Sequence, residues 1–164
     1  MPLTARWIYA LVAAACAALL SYALYTEYFD GLNPCPLCMT QRGFYVLAGL
    51  TGLAAALINP GRKGRYLASG LVALFCAGGA AVAGRQVWLQ SLPADQVPAC
   101  GPSLEYMFAN LPFGEAFRTL MMGDGNCAEV VWTLFGLSMP NWSLICFVVL
   151  AGAAIIAALP WVKR

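Results

Sequence analysis

The sequence contains no histidine, and only 10% of its 164 residues are charged. Without histidine the chain cannot attach a c-type haem through C-x-x-C-H, and it lacks the usual ligands of a b-type haem. A soluble domain carries charge on roughly a quarter of its residues, and the mean hydropathy of +0.74 lies far from that class. No basic run indicates a nucleic-acid partner. The composition therefore predicts a membrane protein.

Four apolar stretches approach or reach the roughly 20 residues that a helix needs to cross a bilayer, and none of them contains an acidic residue. They lie at about residues 7–25, 41–58, 66–88 and 142–161. The first is too long for the apolar region of a cleaved signal peptide, so we expect it to be retained. The sequence predicts an all-α membrane protein, with one domain over residues 1–164 that forms a bundle of four transmembrane helices.

The charged residues divide between the two sides of such a bundle. The side of the termini holds most of the basic residues, namely Arg6, Arg62, Lys63, Arg65, Lys163 and Arg164. All seven carboxylates fall on the other side, in outer loops at about 26–40 and 89–141. The positive-inside rule then places both termini and the loop at about 59–65 in the cytoplasm. The exceptions are Arg42, Arg85 and Arg118.

Seven cysteines occur, and the predicted spans separate them into two groups. A cysteine within a span behaves as a small apolar residue, and this group is Cys16, Cys76 and Cys146. The outward group is Cys35, Cys38, Cys100 and Cys127. An even number of cysteines in an oxidising compartment favours disulfides. A zinc site is disfavoured because four-cysteine sites usually contain two closely spaced pairs, whereas Cys100 and Cys127 are 27 positions apart.

The stretch NPCPLCMTQR, from Asn33 to Arg42, places Cys35 and Cys38 three residues apart. A disulfide between them would close almost no loop, and strained, exposed disulfides are the labile or catalytic ones. A bridge from Cys100 to Cys127 would close a long loop and contribute about 3–4 kcal/mol. Cys38 also lies where the second span begins, and a helix N-terminus favours a thiolate. The short pair therefore suits electron exchange better than stabilisation of a fold.

Arg42 follows Cys38 by four residues, so helical geometry places both on one face. A cation near a helix N-terminus opposes the helix dipole, and an arginine on the outer side also breaks the positive-inside pattern. We therefore expect an anionic or strongly polar group to compensate Arg42. The alternative is an arginine that snorkels to lipid phosphate.

The second outer loop contains two further patterns. Prolines on both sides of Cys100, at 98 and 102, favour an extended, exposed segment that a partner protein can attack. Apolar residues at helical spacing then run from Leu104 to Met121, with a break at Pro112. This periodicity predicts short amphipathic helices on the outer membrane surface. The alternative, a small packed ectodomain, suits a loop of only about 50 residues less well.

Together these residues resemble the disulfide bond formation protein B (DsbB) family of bacterial inner-membrane, quinone-dependent thiol oxidases. The resemblance covers essentially the whole chain. It rests on the four spans, the outward C-P-L-C, Arg42, Cys100 and the segment GDGNCAEVVWTLFGLSMPNW at residues 123–142. It implies a membrane oxidoreductase that reoxidises a periplasmic thioredoxin-like oxidase (DsbA) and passes the electrons to ubiquinone or menaquinone.

The resemblance also implies roles for the outward cysteines. Cys35 and Cys38 would form the quinone-coupled disulfide, with Cys38 nearest the quinone. Cys100 and Cys127 would form the second disulfide, which the DsbA-like partner attacks at Cys100. Cys127 would then connect this loop pair to Cys35 during exchange. All four cysteines would lie on the periplasmic side, and no metal is implied.

Two arginines are candidates for the quinone site. The resemblance implies that Arg42 binds and polarises the quinone. Some relatives have a histidine near the quinone or an acidic residue in the first span, and this chain has neither in its predicted spans. Arg42, water, or Arg85 near the end of the third span would then serve instead, so Arg85 is a second candidate ligand.

Two other functions stay open at this point. A relative of vitamin K epoxide reductase would share the four-helix plan and two cysteine pairs, but its C-x-x-C comes late in the chain, opposite to the order here. A non-catalytic four-helix membrane protein with two structural disulfides would have an inert Cys35–Cys38 bridge and no quinone. The expected partners of the leading prediction are the DsbA-like protein, the quinone pool and the lipid bilayer.

Overall fold

The computed structural model describes residues 4–32, 34–93, 95–99, 106, 109–123, 125–160 and 162. Four helices are long and apolar enough to cross a membrane: α1 (Ala5–Tyr28), α2 (Pro36–Ile58), α3 (Arg62–Gln90) and α6 (Met139–Ala158). The shorter elements between α3 and α6 include the helices α4 (Phe113–Met122) and α5 (Gly125–Ala128), and the strands β1 (Thr133–Leu134) and β2 (Leu137–Ser138). The prediction of a four-helix membrane bundle is confirmed.

The first turns of α1 and the residues just after α6 lie at the same end of this bundle. The Tyr9 hydroxyl on α1 donates to the Arg65 carbonyl at 3.0 Å. The Arg65 guanidinium in turn donates to the carbonyls of Val162, at 2.8 Å, and Leu159, at 3.2 Å. A cation at a helix C-terminus satisfies carbonyls that have no partner within the helix. Arg65 therefore joins α3 to the end of α6, close to the start of α1.

Close packing of α3 against α6 depends on a glycine. A Cβ atom on Gly79 would lie 2.2 Å from the ring of Phe147. This ring is fully buried and stacks on Tyr45 with 4.0 Å between ring centroids. By contrast, a Cβ on Gly70, also on α3, would have no neighbour within 4 Å. The two glycines thus provide a matched pair, one in a tight contact and one in open space.

We expect Gly79→Ala to lower the free energy of unfolding by about 1–3 kcal/mol, because the buried Phe147 ring has to move. Gly70→Ala should be neutral or stabilising by up to about 1 kcal/mol, because alanine has the higher helix propensity. Thermal unfolding of both purified variants in detergent measures the difference. Equal unfolding midpoints for the two variants would contradict the packing described here.

The start of α2 differs from the predicted boundary, because the helix begins at Pro36 rather than near residue 41. Proline suits the first helical position, since its φ is already helical and no N–H is needed there. Cys35 is the N-cap, and its sulfur accepts a hydrogen bond from the Cys38 backbone N–H at 3.4 Å. Cys38 therefore lies in the first turn of α2, near the positive end of the helix dipole.

The short helices α4 and α5, between α3 and α6, lie against the ends of α2 and α3. α4 starts directly after Pro112, as the break in periodicity predicts, and has Glu115 in its first turn. Gly123 follows α4 with φ +72°, and a Cβ there would lie 2.7 Å from Leu89 and 2.9 Å from Leu37. Only glycine combines this left-handed conformation with so close an approach. The chain therefore passes directly over the ends of α2 and α3 just before Cys127.

A small hairpin, which the sequence did not predict, connects this loop to α6. Its strands pair antiparallel, with Thr133 opposite Ser138. Phe135 and Gly136 form the turn, both with positive φ, as a two-residue hairpin turn of this hand requires. The indole N–H of Trp142 donates to the Leu134 carbonyl at 3.1 Å. The hairpin thereby packs against the start of α6, at the end of the bundle that contains Cys38.

Candidate functional site

Cys35 and Cys38 face each other at the N-terminal end of α2. Their Sγ atoms are 2.9 Å apart, and the structure describes both as free thiols with Cys35 donating towards Cys38. Cys35 is buried and Cys38 is half-buried. The two sulfur atoms would therefore have to move only slightly closer to form a disulfide bond. The Cys35–Cys38 disulfide itself stays a prediction.

Cys127 lies against Cys35. It is fully buried on α5, in one apolar cluster with Cys35, Leu37, Val82 and Leu89. Hydrogen bonding of the Cys35 thiol with Cys127, then with Cys38, followed by burial, raises the pKa of Cys35. Cys35 is therefore the shared sulfur, in contact both with its neighbour on α2 and with the cysteine of the second loop.

A glutamine from α3 reaches the sulfurs of the C-x-x-C pair. The Gln86 side-chain N–H₂ donates to Cys38 Sγ at 3.3 Å and to Cys35 Sγ at 3.4 Å. Its oxygen accepts from Gln41 Nε2 at 2.8 Å and lies 3.6 Å from the Cys38 sulfur, whose thiol can donate to it. Both glutamines are buried. The sulfurs thus face neutral polar groups on their inner side.

Arg42 forms an ion pair with Glu27 in the last turn of α1. Its second terminal nitrogen donates to the Ala23 carbonyl at 3.0 Å. Both charged side chains are largely shielded, with 17% of Arg42 and 26% of Glu27 exposed. The expectation that an anionic group compensates Arg42 is confirmed. This contact also corrects the view that the first span has no acidic residue, because α1 continues past the predicted end at Tyr25 to include Glu27.

A cavity of about 400 Å³ opens beside these groups, between α1, α2 and the hairpin–α6 segment. Small-molecule sites typically measure about 300–1,000 Å³. The polar groups on its wall include Cys38, Gln41, Arg42 and Gln86. Its apolar wall includes Leu19, Leu20, Trp132, Leu134, Met139 and Trp142. The cavity can therefore hold a flat apolar molecule with an oxygen near Arg42 and Cys38.

Two of the predicted site residues are not part of this arrangement. Arg85 is exposed on α3, with its guanidinium 4.3 Å from the centroid of the Trp88 ring. It donates to the Met122 carbonyl at 3.3 Å and is not among the residues that line the cavity. Cys100, and with it the predicted Cys100–Cys127 disulfide, lies outside the described residues. Both roles stay predictions.

Three residues of the site were missed from the sequence, and each left a signal there. Glu27 was missed because the span was ended where the apolar run stops, although a helix often continues past it. Gln41 and Gln86 are polar residues within or at the end of apolar helices. A polar side chain in such a helix usually faces the bundle interior or a cavity. That general rule would have singled out both glutamines.

Comparisons with known proteins agree over nearly all of the chain. The sequence model of a family described as "Disulfide bond formation protein DsbB" matches residues 5–157. A Hahella chejuensis relative, "Disulfide bond formation protein B", is 52% identical over 162 residues, which is 99% of this chain and 96% of the relative. "Disulfide bond formation protein B 1" of Pseudomonas aeruginosa is 51% identical over 157 residues, 95% of this chain and 96% of the relative. A Marinobacter nauticus relative is 51% identical over 145 residues, which is 88% of this chain and 86% of the relative.

Proposed function

Because the chain belongs to the DsbB family of disulfide bond formation proteins, we propose that it oxidises a periplasmic DsbA-like dithiol and passes the electrons to a membrane quinone. Family membership and four membrane-crossing helices make it a multi-pass membrane disulfide oxidoreductase. One observation carries the finer proposal. Cys38 and Arg42 line the same cavity, while Cys35 behind Cys38 contacts the cysteine of the second loop.

The first half of the reaction is thiol–disulfide exchange. A thiolate of the partner attacks Cys100, so that a mixed disulfide forms, the Cys100–Cys127 bond breaks and Cys127 leaves as a thiolate. Cys127 then attacks Cys35, a Cys35–Cys127 bond forms, and Cys38 leaves as a thiolate. Each step makes one S–S bond and breaks another. The contact between Cys127 and Cys35 supports the second step, because the attacking sulfur already lies against its target.

The remaining steps return the loop to its starting state. The second thiol of the partner attacks the mixed disulfide, which releases the oxidised partner and leaves Cys100 as a thiol. Cys100 then attacks Cys127, which restores the Cys100–Cys127 bond and leaves Cys35 reduced beside Cys38. The two electrons of the partner now reside on the Cys35–Cys38 pair. Their removal reforms the Cys35–Cys38 disulfide.

The cavity beside Cys38 fits the head group of a quinone. A bound quinone supplies an acceptor for two electrons and two protons within the membrane, and ubiquinone and menaquinone share this chemistry. Arg42 offers charged N–H donors, which bind an oxygen more strongly than neutral donors do. Glu27 holds the guanidinium in place and balances its charge. The apolar side chains of Leu19, Trp132 and Trp142 suit a ring and the start of an isoprenoid tail.

We place the protein in the bacterial inner membrane, with both termini in the cytoplasm and the four reactive cysteines in the periplasm. Arg62, Lys63 and Arg65 start α3 at the end of the bundle where α1 begins and α6 ends. This cluster of basic residues favours the cytoplasm by the positive-inside rule. The opposite end, which holds Cys35 and Cys127, then faces the oxidising compartment in which disulfides persist.

An anaerobic assay tests the proposal directly. The purified full-length protein is mixed with a reduced thioredoxin-fold oxidase and a defined quinone, and quinone loss is followed by absorbance. We expect one quinone to be reduced for each dithiol oxidised, with multiple turnovers. An inert four-helix protein with two structural disulfides would leave both reactants unchanged, which would refute the proposal.

Within that assay, Arg42→Gln is expected to raise the KM for quinone about 10- to 100-fold and to leave the KM for the partner unchanged. The physical reason is the loss of a charge-assisted hydrogen bond to the acceptor. Arg85→Gln is the matched control, because this arginine lies outside the cavity, and its KM for quinone should stay at the wild-type value. A rise for Arg85→Gln alone would instead assign quinone binding to Arg85.

The ion pair complicates the Arg42 variant, because Glu27 is left without its partner. The double variant Arg42→Gln/Glu27→Gln removes this unpaired carboxylate. It should show the same high KM for quinone as the single variant. If the double variant regains the wild-type KM, the single effect came from the stranded Glu27, and Arg42 is not a quinone ligand.

A further inference from the structure

Gln86 and Gln41 form a buried amide pair beside the reacting sulfurs. Gln86 comes from α3 and is 3% exposed, and Gln41 comes from α2 and is 5% exposed. The two side chains are joined by the hydrogen bond from Gln41 Nε2 to Gln86 Oε1, at 2.8 Å. This bond turns the oxygen of Gln86 towards Gln41 and its N–H₂ towards Cys38 and Cys35. The orientation of the Gln86 amide is thus set by a neighbour.

We propose that Gln86 is a catalytic residue that stabilises Cys38 as a thiolate when Cys127 displaces it from Cys35, and that Gln41 is a positioning residue for the Gln86 amide. The inference rests on the thiol–disulfide exchange proposed above. In that step the Cys35–Cys127 bond forms, the Cys35–Cys38 bond breaks, and the electron pair of the broken bond stays on Cys38. A donor aimed at Cys38 Sγ therefore lowers the free energy of the product.

The distances suit a sulfur that changes its charge. As a thiolate, Cys38 accepts from Gln86 Nε2 at 3.3 Å. As a thiol, it can donate to Gln86 Oε1, which lies at 3.6 Å. One amide thus offers a partner to both forms of Cys38 without gaining or losing a proton. This property matters in a chain that has no histidine to place there.

Among the residues that the structure describes, few other groups act on the charge of Cys38. On α2, Arg42 acts on Cys38 through its positive charge, and the Cys35 thiol donates to Cys38 Sγ at 2.9 Å. From α1, Glu27 is already paired with Arg42. From α5, Cys127 lies against Cys35. Arg42 also lines the cavity in which the quinone is proposed to bind. The Gln86 amide is therefore a donor that can stabilise Cys38 during the exchange step while Arg42 stays available to the quinone.

Alkylation of the reduced full-length protein tests this role without quinone or partner. The rate of iodoacetamide reaction at Cys38 is measured from acid to alkaline pH, and mass spectrometry locates the adduct. Gln86→Leu should lower the rate at pH 7 about 10- to 100-fold, as expected for the loss of a hydrogen bond to a charged group. Its rate at alkaline pH, where every Cys38 is a thiolate, should match the wild type. Gln86→Glu keeps the shape but replaces the donor with an acceptor, so its loss at pH 7 should be larger.

Gln41→Leu separates positioning from packing. It leaves the Gln86 donor in place but removes the bond that orients it, so a smaller loss at pH 7, about 3- to 10-fold, is expected with an unchanged alkaline rate. A purely structural defect would change the alkaline rate as well, because it would alter access to Cys38. Gln90→Leu, one turn further along α3, is the control; Gln90 bonds Ser138 at 2.6 Å, and its pH profile should follow the wild type.

The outcomes separate this inference from the function on which it rests. A wild-type pH profile in both Gln86→Leu and Gln41→Leu would overturn the amide role and leave the proposed exchange and quinone reduction untouched. If Gln86→Leu does not fold, Gln41→Leu alone decides, and a wild-type profile there refutes the positioning role. If the variants show the expected alkylation profiles but the wild-type protein does not reduce quinone, the proposed quinone step is refuted. The role of Gln86 as a donor to the Cys38 thiolate would then still stand.

Discussion

Replacing Cys38 by serine should reduce the rate of quinone reduction to the uncatalysed background. Of Cys35, Cys38 and Cys127, the outward cysteines that the structure describes, Cys38 is the one whose side chain lines the cavity. A serine hydroxyl is not ionised near neutral pH and cannot form a disulfide with Cys35. Electrons that arrive at Cys35 then have no route to the acceptor. Steady-state quinone absorbance under anaerobic conditions measures the loss.

The same variant should keep one partial reaction, which makes the result specific. The predicted Cys100–Cys127 disulfide is still present, so about one equivalent of partner dithiol should be oxidised before the reaction stops. Cys76→Ala is the control, because this cysteine is buried in the bundle core and does not line the cavity; it should turn over normally. A Cys38→Ser protein that reduces quinone at the wild-type rate would exclude the proposed mechanism.

The fold was largely predictable because it follows from hydropathy. Apolar runs of sufficient length have few alternatives to helices in a bilayer, since every backbone polar group must be bonded internally. The ends of the helices were less predictable, because caps set them. Pro36 and the Cys35 N-cap start α2 before its apolar run begins, and α1 continues to include Glu27 after its own run has ended. The residues by which these two helices exceed their predicted spans include Cys38 and Glu27, the partner of Arg42.

The main residues of the candidate site could be predicted from the sequence, but the contacts between them could not. The unusual position of Arg42 indicated a compensating group, whereas only the structure identifies Glu27 on another helix. The contact between Cys127 and Cys35 depends on Gly123, whose positive φ and close approach to Leu37 and Leu89 bring the loop onto the bundle. A single glycine in a loop has many possible reasons, so the sequence does not show this one. The hairpin strands are too short, at two residues each, to have a visible period.

Replacing Cys127 by alanine should stop turnover completely and trap a mixed disulfide between Cys100 and the partner. The partner used here keeps only its attacking cysteine and is supplied as a mixed disulfide with a small thiol. Without Cys127, the Cys100 thiolate attacks this disulfide, so that one S–S bond forms, another breaks, and the small thiol leaves as a thiolate. Neither Cys127 nor a second partner thiol is then present to displace the partner from Cys100. The trapped species should appear on a non-reducing gel as a band of the combined mass, which disappears on addition of reductant.

The position of Cys127 explains why the trap should form at Cys100 and at no other cysteine. Cys35 is buried beneath the second loop and Cys127 itself is fully buried, so a partner protein has access to neither without first opening the loop. The variant Cys127→Ala/Cys100→Ser should therefore give no band, and Cys127→Ala/Cys35→Ser should give the same band as Cys127→Ala alone. A band that survives loss of Cys100 would show that the partner reaches Cys35 or Cys38 directly, and the two-step route through the loop would then be wrong.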